Sequence, residues 1–333
     1  MPAVTGWERV LQAAEKYEPA LRRELLAALE TLRDSVSVDE IVRALEGSSA
    51  AVAELVAAAT LAPSALAVLE SMVSSASRAG TSWLLDFIET PAGRRGLPTG
   101  RAGPFTIDFA AIDERASQWA SQHAGELIKG IDDETRAAIR AVIARAPVEG
   151  ITVDQQARLI RQAIGLNERQ ARALFNRYDA LTRQGVSPAR IERQTNTYYQ
   201  RLLRQRAEMI ARTETRFAAQ ASQQAAWRQA AAEGLLDAGR SWQEFSALDD
   251  ACPVCRELDG SKYPVDDPGP STHPSCRCAL ILVFGDTMET AKTVVSKPLG
   301  EYADWGECVR VMTRKLGSKA AAERYCGFLE QRG

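Results

Sequence analysis

The most informative part of this sequence reads Cys252-Pro253-Val254-Cys255 and, after seventeen further residues, His273-Pro274-Ser275-Cys276-Arg277-Cys278. Five of the eight cysteine and histidine residues of the chain lie within these 27 positions. A C-x2-C turn places two thiolates at the separation that two corners of a zinc tetrahedron need, and the second group can supply the other corners. The pattern therefore predicts a metal site.

Zinc suits this mixture of thiolate and imidazole ligands. We predict that its ligands are Cys252, Cys255, His273 and one or both of Cys276 and Cys278. The last two cysteines are two positions apart, so on a strand their side chains face the same side. Either both reach one metal ion, or one is an unbound neighbour. The alternative is a set of buried free thiols.

A closed four-ligand zinc site is structural because no coordination position is left for water. The loop between the two ligand groups is rich in Gly, Pro and Asp, as in Asp266-Asp267-Pro268-Gly269-Pro270. Hydrophobic burial alone would not fold such a loop, so metal binding would supply its folding energy. An apolar strand pattern follows at residues 279–284. Residues 241–285 are therefore predicted to form a small zinc-binding α+β unit with short strands.

Outside this unit the fold class is predicted to be mainly α, as an elongated body of many helices. Ala, Arg, Gln and Glu are abundant, and this composition favours helices over strands. Several polar residues stand where helices would begin. They are the capping-box pairs Ser37 with Glu40, Thr152 with Gln155 and Asn167 with Gln170, and the potential caps Asp132 and Asp133.

The composition divides the remaining chain into four regions around the zinc-binding unit. Residues 91–105 contain four glycines and three prolines and predict a basic linker, either a surface loop or a segment ordered by a partner. The other regions are an N-terminal helical region at 1–90, a long helical domain at 106–240, and a linker with a C-terminal helical hairpin at 286–333. Helices of about 305–316 and 319–331 would form this hairpin.

The bulk composition excludes several classes of protein. The net charge of −2 excludes a polybasic nucleic-acid binder, and the start of the chain lacks the pattern of a secretory signal. No stretch predicts a membrane span. Synthesis in the cytosol predicts thiols or metal ligands rather than structural disulfides. We therefore expect Cys308 and Cys326 to be small buried hydrophobes, although a hairpin could bring them close together.

Residues 136–216 carry sixteen Arg, no Lys and seven Asp or Glu, a local excess of nine positive charges. The first interpretation is a solvated helix face of mixed sign. The alternative is a surface that faces DNA phosphates or an acidic protein, because Arg binds phosphate and carboxylate groups in a bidentate manner.

Four segments in a fixed order resemble the signature of the Mu protein F-like minor head proteins of tailed bacteriophages. They are Ile210-Ala211-Arg212-Thr213-Glu214-Thr215, Trp242, Asp249-Asp250-Ala251-Cys252-Pro253-Val254-Cys255 with Leu258-Asp259-Gly260, and His273-Pro274-Ser275-Cys276-Arg277-Cys278. The likeness is specific across about residues 205–284. It implies a virion component in head morphogenesis, DNA packaging or ejection. Such a protein lies at the portal vertex or in the capsid interior and contacts the portal or major capsid protein.

The segment around Arg212 and Glu214 also has a physical interpretation. These residues are two positions apart, so they point to different sides of a helix. We expect each to pair with a separate element, one of them the zinc-binding unit. The alternative is an ordinary, capped and solvated turn.

The rival function is a zinc-dependent hydrolase or nuclease acting on nucleic acid. Zinc deaminases need H-x-E and P-C-x-x-C. Here Glu126 follows His123 one place too late, and Ala251 precedes Cys252 where proline should stand. The metallopeptidase pattern H-E-x-x-H and a helix-turn-helix of a DNA-binding regulator are also missing from the sequence. We therefore expect a structural protein without catalytic residues.

Overall fold

A computed structural model of the chain describes residues 6–47, 49–58, 60–64, 126–149, 152–232, 241–284 except 249 and 271, and 305–316. It also describes isolated positions between 67 and 75, at 234 and 236, and between 319 and 326. The predicted linker at 91–105 and most of the second hairpin helix lie outside these residues.

Helices make up most of the described structure, as predicted. The N-terminal helices are α1 (Gly6–Asp34), α2 (Val38–Glu46) and α3 (Ser49–Ala58). After the gap follow α4 (Glu126–Glu149), α5 (Val153–Ala163), α6 (Glu168–Arg183) and α7 (Pro188–Ala232). The last described helix is α9 (Trp305–Leu316), whose bounds agree with the prediction. We call α1 to α7 the helical body.

All three capping boxes form, because each depends only on residues three positions apart. Ser37, Thr152 and Asn167 cap α2, α5 and α6 in the predicted manner. The cap expected at Asp132 and Asp133 is wrong, because α4 already begins at Glu126. Asp132 instead accepts a hydrogen bond from the backbone amide of Leu61, 2.9 Å away.

The core of the helical body lies between α1 and α7 and is closed by α4, α5 and α6. Its apolar side chains recur at helical spacing, so each helix turns one stripe inward. The buried members include Leu21, Leu25, Leu29, Ile160, Phe175 and Tyr199. The N-terminal helices are therefore part of the same core as the Arg-rich helices.

A small antiparallel sheet follows the helical body. It contains β1 (Ser241–Ser246), β2 (Lys262–Pro264) and β3 (Ala279–Phe284), in the order β2-β1-β3, and the short helix α8 (Pro253–Leu258) lies between β1 and β2. The bounds of β3 confirm the apolar strand pattern. Residues 241–284, which we call the metal unit, share a second core with the end of α7, where Trp227 is fully buried.

Two glutamines of α7 join the metal unit to the helical body. Gln220 Oε1 accepts a hydrogen bond from the backbone amide of Leu280 at 3.0 Å. Gln224 Nε2 donates to Gln243 Oε1 at 2.8 Å and to the carbonyl of Pro268 at 3.0 Å. Because these polar groups are buried, each hydrogen bond fixes the orientation of the sheet on the helix.

Cys308 and Cys326 form a disulfide with their Cα atoms 6.0 Å apart. The expectation of thiols rather than structural disulfides is therefore wrong for this pair. The reason is the close packing of α9 against the segment around Ala322, which brings the two buried sulfur atoms together. Among the described residues, no helix is both long enough and apolar enough to cross a membrane.

Candidate metal centre

The first two predicted ligands lie at the start of α8. Cys252 is the N-cap residue and Pro253 occupies the first turn, a favoured place for a residue without an amide hydrogen. The sulfur of Cys252 accepts the backbone amide of Cys255 at 3.5 Å. This capping geometry places the side chains of Cys252 and Cys255 on the same side of the turn that they begin and end.

His273 completes the first group of ligands. Its Nε2 lies 3.2 Å from Cys252 Sγ and 3.4 Å from Cys255 Sγ. Its Nδ1 lies 2.8 Å from the carbonyl oxygen of Pro274. Since a carbonyl can only accept, Nδ1 carries the hydrogen and Nε2 keeps a lone pair that is directed at the two sulfur atoms.

A tight turn brings in the remaining cysteines. Ser275 has a positive φ of 61°, and the amide of Cys276 donates to the carbonyl of His273 at 3.1 Å. The sulfur of Cys276 lies 3.6 Å from that of Cys255. Within each of two overlapping groups the ligand atoms all lie within 4.8 Å of one another. The groups are Cys252, Cys255 and His273, and Cys255, Cys276 and Cys278.

These distances suit a zinc ion. Zinc–sulfur and zinc–nitrogen bonds of about 2.3 and 2.0 Å place the ligand atoms of a tetrahedron roughly 3.3–3.8 Å apart. The closest ligand pairs here are 3.2–3.6 Å apart. Cys255 belongs to both groups, so it is the residue on which any single-ion arrangement depends. The cluster could hold a metal ion without a large rearrangement.

The thiols affect one another's protonation. Hydrogen bonds with Cys255 and Cys278, together with the charge of Arg216, lower the pKa of Cys276 to about 3. The hydrogen bond with Cys276 raises the pKa of Cys255. The two shifts have opposite directions because one thiolate accepts hydrogen bonds from the neighbouring thiols. A bound cation would allow further thiols of the cluster to lose their protons.

Arg216 is a member of this site that the sequence analysis missed. Its side chain is only 4% exposed, and among the described residues its Nε has no hydrogen-bond partner. Burial lowers the pKa of Arg216, and the opposing charges of the thiols of Cys276, Cys278 and Cys255 offset this effect only in part. In sequence it is one of sixteen arginines between 136 and 216, so only the fold distinguishes it.

The segment that resembles the family motif connects three parts of the protein. Arg212 pairs with Glu18 of α1 at 3.2 Å. Glu214 accepts the backbone amide of Leu127, near the start of α4, at 2.9 Å. The prediction that Arg212 and Glu214 pair with separate elements is confirmed, but these two partners lie in α1 and α4 rather than in the metal unit. The contact with the metal unit comes from Thr213 between them.

Thr213 Oγ1 accepts the backbone amide of Ser275 at 2.9 Å and donates to the carbonyl of Met209 at 2.7 Å. Ser275 is in the turn that carries His273 and Cys276. One threonine hydroxyl therefore attaches the ligand-bearing turn to the helical body.

We expect Thr213→Val to weaken this attachment by about 1–3 kcal/mol, because the amide of Ser275 loses its acceptor. Hydrogen exchange of residues 272–284 should become faster. Thr215→Val is the matched control, since the buried Thr215 hydroxyl bonds only to carbonyls of its own helix. Equal exchange rates in both variants would contradict the role of Thr213.

The arginines of residues 136–216 do not form one surface. Arg206 is 1% exposed, and it donates to Glu134 and to the carbonyl of Gly165, each at 2.6 Å. An interpretation that places Arg206 and Arg216 on a partner-facing surface is therefore wrong. Four arginines on one side of α7 are exposed, and we call them the arginine stripe. They are Arg190, Arg193, Arg201 and Arg204.

No curated protein and no solved structure matches this chain. A family model does match it, across most of the helical body and nearly all of the metal unit. The match includes Thr213, Arg216 and all five candidate ligands. Residues 137–281 match the family described as Phage Mu protein F like protein, which confirms the resemblance that the sequence indicated.

Proposed function

We propose that this chain is a structural minor head protein of a tailed bacteriophage, placed at the portal vertex or in the capsid interior. The observation that supports this proposal is the match to the Phage Mu protein F like family over residues 137–281. The family acts in phage head morphogenesis and is not known for enzymatic activity. In this role the chain contacts the portal or major capsid protein and serves assembly, DNA packaging or ejection.

Particle composition tests this proposal. Heads purified from the phage or prophage that encodes this chain should contain it at a fixed low copy number, protected from added protease. A deletion should lower the yield of infectious particles, and the wild-type chain supplied in trans should restore it. Full infectivity without the chain, or its presence on the outer surface only, would contradict the proposal.

We propose that one zinc ion is held by Cys252, Cys255, His273 and one of Cys276 and Cys278. Four protein ligands leave no position for substrate water, so the ion would stabilise the fold rather than catalyse a reaction. The short strands and the Gly-, Pro- and Asp-rich loop depend on this ion for their folding energy.

Purified protein should contain close to one zinc per chain, measured by inductively coupled plasma mass spectrometry after dialysis without chelator. Overnight treatment with a strong chelator should remove the zinc and expose Trp242 of β1 to fluorescence quenchers. Much less than half an equivalent of every transition metal in protein that was never exposed to chelator would contradict the zinc site.

The arginine stripe is the surface that best fits a DNA contact. Its members lie 3, 11 and 14 residues after Arg190 and therefore share one face of α7. At about 1.5 Å per residue the stripe is roughly 21 Å long. Some of the other exposed arginines are paired with acidic residues, as Arg158 is with Glu192. We propose that the stripe contacts the phosphates of packaged DNA.

Replacing Arg193, Arg201 and Arg204 together by Gln should weaken DNA binding and reduce its salt dependence. Each lost phosphate contact lowers the slope of log K against log salt by about 0.9. The matched control replaces three exposed but paired arginines, Arg158, Arg172 and Arg183, and changes the net charge equally. Filter-binding titrations that give both triple variants the same slope would contradict the contact.

A further inference from the structure

Arg216 lies on α7 between the two hydrogen bonds that join this helix to the segment of Cys276 and Cys278. Those bonds are formed by Thr213 and Gln220, three residues before and four residues after Arg216. Residues at this spacing share one face of a helix. The fold therefore places the Arg216 side chain against the cysteine-bearing segment, where it is 4% exposed.

A guanidinium buried in this way needs an anion, because a buried unpaired charge is strongly unfavourable. Within the described part of the chain, no carboxylate forms an ion pair with Arg216, and its Nε has no hydrogen-bond partner. Thr213 and Gln220 hold this face of α7 against the segment that carries Cys276 and Cys278, and the thiols of Cys276, Cys278 and Cys255 raise the pKa of Arg216. The available anion is therefore thiolate sulfur, the form in which cysteine binds a metal.

We propose that Arg216 is the buried counter-ion of the metal–thiolate cluster, and that this cluster carries one net negative charge. Three thiolates and the neutral imidazole of His273 around a divalent ion give that charge. Four thiolates around the same ion would give the cluster a net charge of −2, and the single guanidinium of Arg216 would neutralise only half of it. In the first arrangement one of Cys276 and Cys278 is not a ligand, as in the four-ligand site proposed above. This inference depends on the proposed metal site.

The zinc affinity of full-length variants tests the role of Arg216, measured by competition with a chromophoric chelator. Arg216→Met and Arg216→Gln should bind zinc about 10- to 100-fold more weakly, the effect typical of groups that support metal ligands. Arg216→Lys should recover most of the affinity because it keeps the charge. Arg206→Met is the control, since that arginine is equally buried in α7 but pairs with Glu134.

Circular dichroism shows whether each variant folds. If Arg216→Met does not fold, the affinity of Arg216→Lys is compared with that of Arg216→Gln instead. Equal affinities of Arg216→Lys and Arg216→Gln, or wild-type affinity in Arg216→Met, would overturn the counter-ion. Wild-type protein that binds no metal would instead refute the metal site itself. The two failures are therefore distinguishable.

Cobalt substitution counts the thiolates. The intensity of the sulfur-to-cobalt charge-transfer band should correspond to three thiolates in the wild type. One of Cys276→Ser and Cys278→Ser should lower it by a third, and the other should leave it unchanged. A band that corresponds to four thiolates, or an equal loss in both variants, would overturn the single negative charge.

Discussion

Cys255→Ser should abolish zinc binding and unfold the metal unit while most of the helical body persists. Cys255 belongs to both overlapping ligand groups, so neither can form around an ion without it. The apparent binding free energy of a structural zinc is about 10–16 kcal/mol near pH 7, more than the small sheet could replace. Zinc analysis and hydrogen exchange of residues 241–284 measure the two effects.

The loss of structure in Cys255→Ser should extend from the metal unit into the end of α7. The end of α7 shares its core with the metal unit, so exchange should also become faster from about Gln220 to Ala232. Cys308→Ser combined with Cys326→Ser is the matched control, because both residues lie outside the cluster. Retained zinc in Cys255→Ser, or zinc loss in this control, would contradict the assignment.

Arg206→Met should destabilise the helical body by about 3–5 kcal/mol, because it removes one half of a buried ion pair and with it the positive charge beside Glu134. The Arg206 side chain is fully buried and that of Glu134 is 14% exposed. The carbonyl of Gly165 loses a donor as well. Urea denaturation followed by helical circular dichroism measures the effect, and the zinc content should not change.

A double variant separates charge burial from packing. Arg206→Met with Glu134→Leu removes both charges, and replacing a whole buried pair by apolar groups is often neutral. The double variant should therefore regain much of the stability that the single variant loses. If it is no more stable than Arg206→Met alone, the cost of the single substitution comes from packing rather than from the charge of Glu134.

The structural features that depend on local sequence patterns were predicted correctly from the sequence. The three capping boxes and the apolar strand β3 depend on neighbouring residues, and they form where expected. The five candidate ligands also converge, because two short turns carry them. In each case the relevant atoms lie within a few residues of one another in the chain, or on turns that are themselves locally determined.

Long-range pairing could not be predicted in the same way. Asp132 resembles a helix cap, yet its partner is the amide of Leu61, 71 residues away. In sequence, Arg206 and Arg216 resemble the exposed arginines around them. In the fold, Arg206 is buried beside Glu134 and Arg216 beside the thiols. The composition of an Arg-rich helix does not specify which arginines face inward. The fold of the whole chain decides it.

Because α1 packs against α7, the part of the chain that matches the family is shorter than the part that folds around one core. The family match begins at residue 137, inside α4, yet Leu21, Leu25 and Leu29 complete the core on which that region rests. A fragment trimmed to the match would expose this apolar surface and lose Glu18, one of the two acidic partners of Arg212. Shortened forms of this chain therefore need residues of α1 in order to keep that surface covered.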